Sequence, residues 1–388
     1  MSGALKRDGW ETVRLGDVCS VVSGSTPKTA NPEYWDGDTL WITPAELNED
    51  SHYIYDTTRK ITEAGRNSAS LMLLPKGTVL LSSRAPIGKV GIVGTEMCCN
   101  QGFKNLVCSP VIFNNYLFWF LKGKTDYLNS LGRGATFKEI SKGIVANIKI
   151  PLPPLDIQRR IADTLDKVTE LITLRKTQLE KLDELVKARF VELFGDPQTN
   201  PNGHALVKLS DVATYFNGLT YKPENVAEVG TIVLRSSNIQ NSQLAFADTV
   251  RVDCTVREKL MVQENDILMC SRNGSARLVG KVALIKGLQE PMTFGAFMMI
   301  IRSRYYSYLM TYFQMDAFRQ QIKTGATTTI NQITGRMLDE VTIPLPPMEL
   351  VEQFTAFVEQ TDKSKVIIQQ NLDALETLKK SLMQEYFG

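Results

Sequence analysis

Two long segments of the chain place apolar residues at steps of three and four positions, which is the spacing of an amphipathic helix. The first segment covers residues 155–195 and the second covers residues 348–388, and they align without a gap at an offset of 193 positions. We therefore predict two long helices. Their apolar stripes comprise Leu165, Val168, Ile172, Leu179, Leu182 and Val186 in the first helix, and Ile368, Leu372, Leu375 and Leu382 in the second.

A stripe of this length needs a partner, and the natural partner of each helix is the other copy. We expect an antiparallel coiled coil, in which about 40 residues at ~1.5 Å each give a spacer of up to roughly 60 Å between two globular parts. Lys365 and Lys379 interrupt the second stripe. The alternative is that each helix packs onto its own globular part as an ordinary core helix.

The string IPLPP precedes both helices, at residues 150–154 and 343–347. Proline fixes φ, disfavours helix before it and suits the first turn of a helix. We interpret each copy as a rigid joint between a globular part and its helix.

These joints divide the chain into two longer and two shorter segments, each long segment being followed by a helix. The longer segments are mildly basic, with net charges of +3 and +2, which permits a phosphate-facing surface without proving one. The predicted segments are 1–150, 151–195, 196–343 and 344–388.

The two longer segments also resemble each other, as an internal repeat would. VRLGDVCSVVSGST at 13–26 matches VKLSDVATYFNGLT at 207–220. LLSSR, which ends at Arg84, matches LMCSR, which ends at Arg272, and GAT occurs in both segments. The beginnings and ends of the two segments are alike while their middle parts differ. This is expected of one scaffold that carries two binding surfaces of different specificity. The alternative is a duplicated structural domain without a binding role.

Within the longer segments, short apolar or alternating runs predict strands, and aromatic runs at helical spacing predict helices whose rings belong to the core. The overall expectation is an α+β fold with a pseudo-two-fold internal repeat. The predicted strands cover 78–83, 89–94, 147–152, 266–271 and 281–286, and the predicted helices cover 114–131 and 305–322.

Length and hydropathy exclude several classes of protein. A chain of 388 residues with 43% hydrophobic content exceeds one compact core, so two or more domains are expected. The sequence has no apolar run near the ~20 residues that span a bilayer, and no apolar stretch follows the basic residues at its start. We expect a cytoplasmic protein without a membrane contact.

The cysteines and histidines do not form a recognisable metal site. None of the six cysteines belongs to a C-x-x-C pair, and His52 and His204 are the only histidines. We expect free thiols in a reducing compartment, no zinc site and no histidine-based catalytic triad.

Two short stretches resemble functional motifs of enzymes but differ from them at required positions. GSARLVGKV at 274–282 lacks a phosphate-binding loop's second glycine, because Val279 stands there, and Val282 replaces the Ser or Thr after the lysine. NPEY at 31–34 differs from the Asn-Pro-Pro-Tyr loop of amino-methyltransferases at Glu33. We expect a chain that is not an enzyme and binds no cofactor itself.

Polar, basic loops that follow strands at matched places in the two segments are the candidate binding residues. Arg can donate two hydrogen bonds to guanine, and Asn can form a hydrogen-bonded pair with adenine. Ser, Thr or Lys can donate hydrogen bonds to phosphates. For any one of these residues, a solvated loop is the alternative. The candidates are Ser82, Ser83, Arg84, Lys89, Lys104, Thr136 and Lys138 in the first segment, and Arg235, Ser271, Arg272, Asn273, Arg277, Lys281, Thr327 and Asn331 in the second.

Taken together, these motifs make the chain resemble the DNA specificity subunit of a type I restriction-modification system. The resemblance covers nearly the whole length and rests on the order and duplication of its pieces. They are WETVRLGDV, SGSTPKTANPEYWDGDTLWITPAEL, SSRAPIGKVGI, NQGFK, GATFKEIS, IPLPPLDIQRRIADTLDKV and FGDP, followed by a second round that ends in IPLPP and YFG. The second round has no counterpart of TPKTANPEYW, so the two readers should differ in base preference.

The resemblance implies two target-recognition domains, 1–150 and 196–343, that each read one half of a split target in double-stranded DNA. It also implies partners: methyltransferase subunits that carry S-adenosylmethionine and methylate adenine, and an ATP- and magnesium-dependent translocase subunit that cuts unmodified DNA. The alternative function is a structural scaffold that holds enzyme subunits together without recognising bases.

Overall fold

The computed structural model describes residues 9–134, 138–323 and 331–388. The chain forms two compact units, and the boundary between them falls inside both long helices. The first unit consists of Met1–Lys176 with Gln370–Gly388, and the second consists of Thr177–Gln369. Each unit therefore contains one globular part, the adjoining stretch of one long helix and a stretch of the other.

The first unit contains two larger sheets and one strand pair. The strands are β1 (Glu11–Arg14), β2 (Cys19–Ser23), β3 (Trp35–Ile42), β4 (Tyr53–Ile54), β5 (Arg59–Ile61), β6 (Val79–Leu81), β7 (Val90–Val93), β8 (Cys98–Cys99), β9 (Lys104–Cys108) and β10 (Lys149–Leu152). The larger sheets have the orders β2-β9-β6-β7-β4 and β5-β3-β8, while β1 pairs with β10.

The second unit also contains two larger sheets, with two strand pairs instead of one. The strands are β11 (Ala205–Lys208), β12 (Thr214–Asn217), β13 (Val226–Ala227), β14 (Thr231–Leu234), β15 (Ile239–Gln240), β16 (Gln243–Leu244), β17 (Val250–Val252), β18 (Ile267–Cys270), β19 (Val282–Leu284), β20 (Met292–Phe294), β21 (Met298–Arg302) and β22 (Thr342–Leu345). The sheet orders are β12-β21-β18-β19 and β13-β17-β14-β20, with pairs β11-β22 and β15-β16.

The helices confirm the mixed composition of each unit. They are α1 (Leu15–Val18), α2 (Glu63–Ser68), α3 (Asn114–Lys122), α4 (Thr125–Ser130), α5 (Lys142–Ala146), α6 (Leu155–Phe194), α7 (Tyr306–Tyr312), α8 (Asp316–Lys323), α9 (Gly335–Asp339) and α10 (Met348–Phe387). Short 3-10 helices cover Pro32–Tyr34, Pro44–Glu46, Leu209–Asp211, Pro223–Asn225, Ser236–Asn238, Glu258–Leu260 and Ala276–Leu278.

The two units share one strand topology even where their sequences differ. The order β2-β9-β6-β7 corresponds to β12-β21-β18-β19, and β5-β3-β8 corresponds to β17-β14-β20. Within these three-strand orders, the last two strands are parallel in both units: β3 with β8, and β14 with β20. The central strands β6 and β18 consist entirely of buried residues. The internal repeat therefore extends through the middles of both segments, because backbone pairing tolerates any apolar side chains that fill the core.

The aromatic helices belong to the core, as predicted, but each predicted helix is two helices. The break between α3 and α4 falls at Gly123, whose backbone N–H donates to the carbonyl of Trp119. Glycine is a poor helix former, which favours a stop there. Tyr116, Phe118 and Trp119 are almost fully buried.

In the first unit, the beginning of α6 and the end of α10 are core elements. Leu165 of α6 and Phe387 of α10 belong to the same buried cluster. The Phe387 ring lies 5.3 Å from the ring of Tyr116, and Lys176 pairs with Glu376 at 3.2 Å. Within this unit, later positions of α6 contact earlier positions of α10, so the two helices run antiparallel.

In the second unit, the same arrangement joins the end of α6 to the beginning of α10. The rings of Phe190 and Phe194 lie 5.7 and 5.3 Å from the ring of Phe354. Lys365 pairs with Asp183 at 2.7 Å. Here too the helices run antiparallel, and the three rings are fully or almost fully buried.

Each long helix begins in the core of its own globular part, as the alternative predicted, but ends in the core of the other globular part. The coiled coil stays a prediction. The helix ends are core elements of the units, and within each unit the two helices also contact each other. Every predicted stripe residue is buried or partly buried: Leu165, Val168, Ile172, Leu179, Leu182, Val186, Ile368, Leu372, Leu375 and Leu382.

The two lysines that interrupt the second stripe have specific partners. Lys365 is only 15% exposed at its side chain and is neutralised by Asp183. The Lys379 ammonium lies 4.9 Å from the centre of the Trp119 ring. Burial, together with repulsion from Lys176, lowers the pKa of Lys379. A cation over an indole face is a favourable arrangement, so the polar positions are accommodated without opening the helix pair.

Each IPLPP string is the end of a strand followed by the start of a helix. Its first residues belong to β10 or β22, which pair with β1 or β11. The Tyr116 hydroxyl donates to the carbonyl of Pro151 at 2.8 Å, and the Tyr308 hydroxyl donates to the carbonyl of Pro344 at 2.7 Å. Equivalent tyrosines, Tyr116 and Tyr308, thus fix the joint to the globular part in the two units.

Two glycines, one in each unit, allow a close approach of two backbone segments. A Cβ built on Gly24 would overlap the carbonyl oxygens of Cys99 and Asn100, and one built on Gly218 would overlap the carbonyl of Gly295. This explains why the matched strings at 13–26 and 207–220 both keep glycine at this position.

We expect Gly24→Ala to destabilise the first unit by about 1–3 kcal/mol, since the added methyl group must push two backbone segments apart. Chemical denaturation with aromatic fluorescence measures the change. Gly143→Ala in α5 is the matched control, because its Cβ would meet only the Ser141 hydroxyl at 3.9 Å. Equal stability of the two variants would contradict this account.

Across residues 9–134, 138–323 and 331–388, no helix combines the length and the apolar character needed to cross a membrane.

Candidate nucleic-acid interface

A matched arginine follows the central strand in each unit, and the backbone around it is built in the same way. Arg84 follows β6 and forms an isolated antiparallel bridge with Glu139, while Arg272 follows β18 and forms one with Gln332. The preceding residue Ser83 donates its N–H to the carbonyl of Gly102 at 2.7 Å. In the second unit the corresponding donor is Ser271.

The Ser271 N–H donates to the carbonyl of Phe297 at 2.9 Å. The next contact is also repeated: Ile140 donates its N–H to Ser83, and Ile333 donates its N–H to Ser271, at 3.0 and 2.8 Å. These backbone contacts place Arg84 and Arg272 at equivalent positions of the two units.

Arg84 shares a carboxylate with a lysine. One guanidinium nitrogen of Arg84 lies 3.6 Å from Glu139 Oε2, and Lys104 Nζ lies 2.9 Å from Glu139 Oε1. One carboxylate therefore serves two cations, and the cluster keeps one net positive charge. Because the Arg84 and Glu139 side chains are both more than a third exposed, solvent screens this pair. An anion such as a DNA phosphate or an acceptor on a base can compete for Arg84.

The environment of Arg272 is neutral and apolar. Arg272 Nη2 donates to Gln332 Oε1 at 3.0 Å, and the guanidinium carbon lies 5.9 Å from the centre of the Phe297 ring. Gln332 carries no charge, so this contact holds the arginine in place without neutralising it. Arg272 is exposed. A positioned, charged fork of this kind can donate two parallel hydrogen bonds to guanine O6 and N7.

The serine candidates are structural residues. Ser82 and Ser83 are fully buried, and Ser271 is 7% exposed. The Ser82 hydroxyl donates to the carbonyl of Pro86 at 2.7 Å, and the hydroxyls of Ser83 and Ser271 donate to backbone carbonyls at 3.0 Å. The structure does not support DNA contacts by these hydroxyls, because each is covered and already hydrogen-bonded.

Several lysine candidates are also committed to the fold. Lys104 is 8% exposed and donates to Glu139, so it holds that carboxylate rather than a phosphate. Lys89 Nζ donates to the carbonyl of Pro44 at 3.1 Å, and Lys281 Nζ donates to the carbonyl of Ile239 at 2.6 Å. Lys89 and Lys281 are partly exposed. Each can bind a DNA phosphate only by giving up its hydrogen bond to the backbone carbonyl.

The remaining candidates lie on or near the arginine loops. Lys138 is exposed beside Glu139, and Arg277 is exposed on the 3-10 helix after the second loop. Asn273 Nδ2 lies 3.4 Å from the hydroxyl oxygen of Ser236, and Asn331 Nδ2 donates to the carbonyl of Gly274 at 3.3 Å. Thr136 and Thr327 of the two GAT strings lie outside the described residues.

A groove of about 450 Å³ opens beside the arginine loop of the second unit. Its apolar lining includes Leu219 and Phe297, and its polar lining includes Tyr221. Arg235, another candidate, also lines it, and Arg235 Nη2 pairs with Asp248 Oδ1 at 2.6 Å. The ion pair neutralises Arg235, so this groove does not present a free cation.

Sequence reasoning missed the partners of the two arginines. Glu139 and Gln332 occupy the same place, each bridging to the arginine of its unit, but one is charged and the other is not. Phe297 has no aromatic counterpart in the first unit. The sequence carries a signal for Glu139 and Gln332, since each is followed by Ile and then by Ser or Thr, in EIS at 139–141 and QIT at 332–334. It carries none for Phe297.

The model of the protein family described as "Type I restriction modification DNA specificity domain" matches residues 7–184 and, a second time, residues 201–382. The chain belongs to this family. The double match confirms the predicted repeat of two DNA specificity domains. It favours the DNA specificity subunit over the scaffold without base recognition.

Relatives in this family share parts or all of the chain. The MjaIX type I restriction enzyme specificity subunit of Methanocaldococcus jannaschii is 38% identical over 197 residues, which are 50% of this chain and 45% of that protein. The EcoKI specificity subunit of Escherichia coli strain K12 is 24% identical over 425 residues, covering 100% of this chain and 90% of that protein.

The fold agrees with a solved specificity subunit. The crystal structure of the type I restriction-modification S subunit from M. genitalium has a TM-score of 0.62 to this chain at 13% sequence identity, covering 100% of this chain and 99% of that one. At this identity the likeness shows the fold alone.

Proposed function

We propose that each unit of this chain reads one half of a bipartite, gapped sequence in double-stranded DNA, using the loop after its central strand. The observation that carries this proposal is the pair of matched arginines, held by equivalent backbone bonds but with different neighbours. A shared scaffold with different neighbours is what two readers of different half-sites require. The bases are contacted by Arg84 in one half and by Arg272 in the other.

The chain acts as a non-catalytic subunit in the cytoplasm, where its DNA is. Methyltransferase subunits that bind S-adenosylmethionine modify adenine in the target, and a translocase subunit that uses ATP and magnesium cuts unmodified DNA. The chain's family supports these roles, since its relatives are specificity subunits of type I restriction enzymes. The long helices α6 and α10 set the gap between the half-sites and dock the partner subunits.

Binding to duplex DNA in the presence of the methyltransferase subunits tests this function. We expect the complex to prefer one sequence over unrelated duplexes, with an affinity that falls steeply as salt rises, because phosphate contacts release counterions. Adding unlabelled competitor DNA separates the specific part from the general electrostatic part. Equal affinity for all sequences, or none for any, would contradict base recognition and favour the scaffold.

A further inference from the structure

Phe297 is an exposed aromatic residue at a fixed place beside Arg272. The residue is 58% exposed. Its carbonyl accepts the N–H groups of both Ser271 and Arg272, at 2.9 and 3.1 Å. The ring is thus tied to the arginine loop by its own backbone. An exposed phenyl ring that the backbone fixes beside a candidate base-contacting arginine offers a ligand a large and ordered contact surface.

The equivalent position of the first unit has no side chain. Gly102 accepts the N–H of Ser83 there, as Phe297 accepts that of Ser271. A Cβ built on Gly102 would lie 2.9 Å from the ring of Pro44, so the first unit has no room for a larger residue. Phe297 is therefore not required by the shared scaffold. It belongs to what distinguishes the second unit from the first.

Apart from the Arg272 guanidinium, which lies 5.9 Å from the Phe297 ring and is assigned to a base, the residues around Phe297 favour an apolar ligand group over a phosphate. Phe297 and Leu219 form apolar parts of the groove of about 450 Å³. The one arginine in the lining, Arg235, is neutralised by Asp248 at 2.6 Å. A phosphate would find no uncompensated charge among these lining residues, whereas a methyl group would gain contact with the phenyl ring.

We propose that Phe297 contacts the 5-methyl group of a thymine in the half-site read by the second unit, next to the base contacted by Arg272. Thymine is the base that presents a methyl group in the major groove, and apolar side chains recognise it there. This inference rests on the proposed function and deepens it. It makes Phe297 a specificity-determining residue that recognises a 5-methylpyrimidine.

The test replaces each thymine of the preferred duplex by uracil, one at a time, which removes only the methyl group. For the complex containing the unaltered chain, we expect one replacement in the second unit's half-site to weaken binding about fourfold, the equivalent of one buried methylene at ~0.8 kcal/mol. For Phe297→Ala we expect thymine and uracil to bind equally at that position. Phe297→Leu, which keeps an apolar contact, should retain part of the difference.

The matched control is Tyr55→Ala, which removes an aromatic ring that is 62% exposed in the first unit. It should leave the thymine preference in the second half-site unchanged. Thermal unfolding of each variant establishes that Phe297→Ala folds, as expected for the loss of an exposed ring.

Three results would overturn the proposal: a second half-site without thymine on either strand, a thymine preference that persists in Phe297→Ala, or equal binding of thymine and uracil duplexes by the unaltered chain. The last result also argues for a ring that acts as a wedge between bases. If Arg272→Ala still relaxes one half-site, only the thymine contact fails. If no duplex is preferred at all, the proposed function fails with it.

Discussion

Lengthening both long helices by seven residues is expected to change the preferred gap between the half-sites while leaving both half-sites unchanged. The insertions belong after Lys176 in α6 and after Gln369 in α10, where the boundary between the units falls. Contacts within each unit, such as Lys176 with Glu376 and Lys365 with Asp183, then keep their partners.

The size of the change follows from helix geometry. Seven residues add about 10.5 Å and nearly two full turns, so the faces of the helices keep almost the same direction. A rise of about 10.5 Å corresponds to roughly three base pairs of duplex. Each added base pair also rotates one half-site about the DNA axis relative to the other, which favours a smaller change in the gap. We therefore expect a shift of about one to three base pairs, measured by binding to duplexes with gaps of every length.

The control for this experiment is the same seven residues inserted in the exposed turn between Asn202 and Gly203, which lies outside both helices. That insertion should leave the gap unchanged. A helix-lengthened variant that keeps the original gap would show that the helices do not set it.

Replacing Arg272 by alanine is expected to relax base preference at one position of one half-site. Loss of a bidentate contact to a base costs about 1–3 kcal/mol, or roughly 5–150-fold in discrimination. The neutral partner Gln332 and the nearby Phe297 ring hold this arginine in place without neutralising it, so its full charge is available to the base. Competition binding with single-base variants of the preferred duplex measures the effect.

Arg84→Ala is the reciprocal variant and should relax only the other half-site. The comparison also assigns each unit to its half. Because Glu139 competes for Arg84, we expect a smaller loss there than at Arg272. Uniform weakening over all sequences by Arg272→Ala would instead identify a phosphate contact.

The sequence predicted the long helices and the central strands because their signals are local. Helical spacing located α6 and α10, and the buried runs around β6 and β18 gave both strands. The matched ends LLSSR and LMCSR then placed Arg84 and Arg272 at equivalent positions. Repetition of a motif thus located two structurally equivalent positions, while their contact with DNA stays a prediction.

Other features depend on contacts between residues distant in sequence, and no local pattern contains them. Ser82 and Ser83 read as a polar loop, yet both are covered and hydrogen-bonded in the core. The middle parts of the two longer segments share one strand topology. That topology is a property of backbone pairing, so it cannot be recognised from side chains that have diverged. The place of Phe297 depends on a carbonyl that accepts hydrogen bonds from the Arg272 loop, 25 or more residues away in sequence.

The central claim is that two units of one chain read two separated half-sites. Selection of tightly bound duplexes from a random pool, by the chain together with its methyltransferase subunits, tests it most directly. We predict one enriched motif with two different short half-sites and a gap of fixed length between them. A single uninterrupted motif, two half-sites at variable distance, or no enrichment would contradict this account.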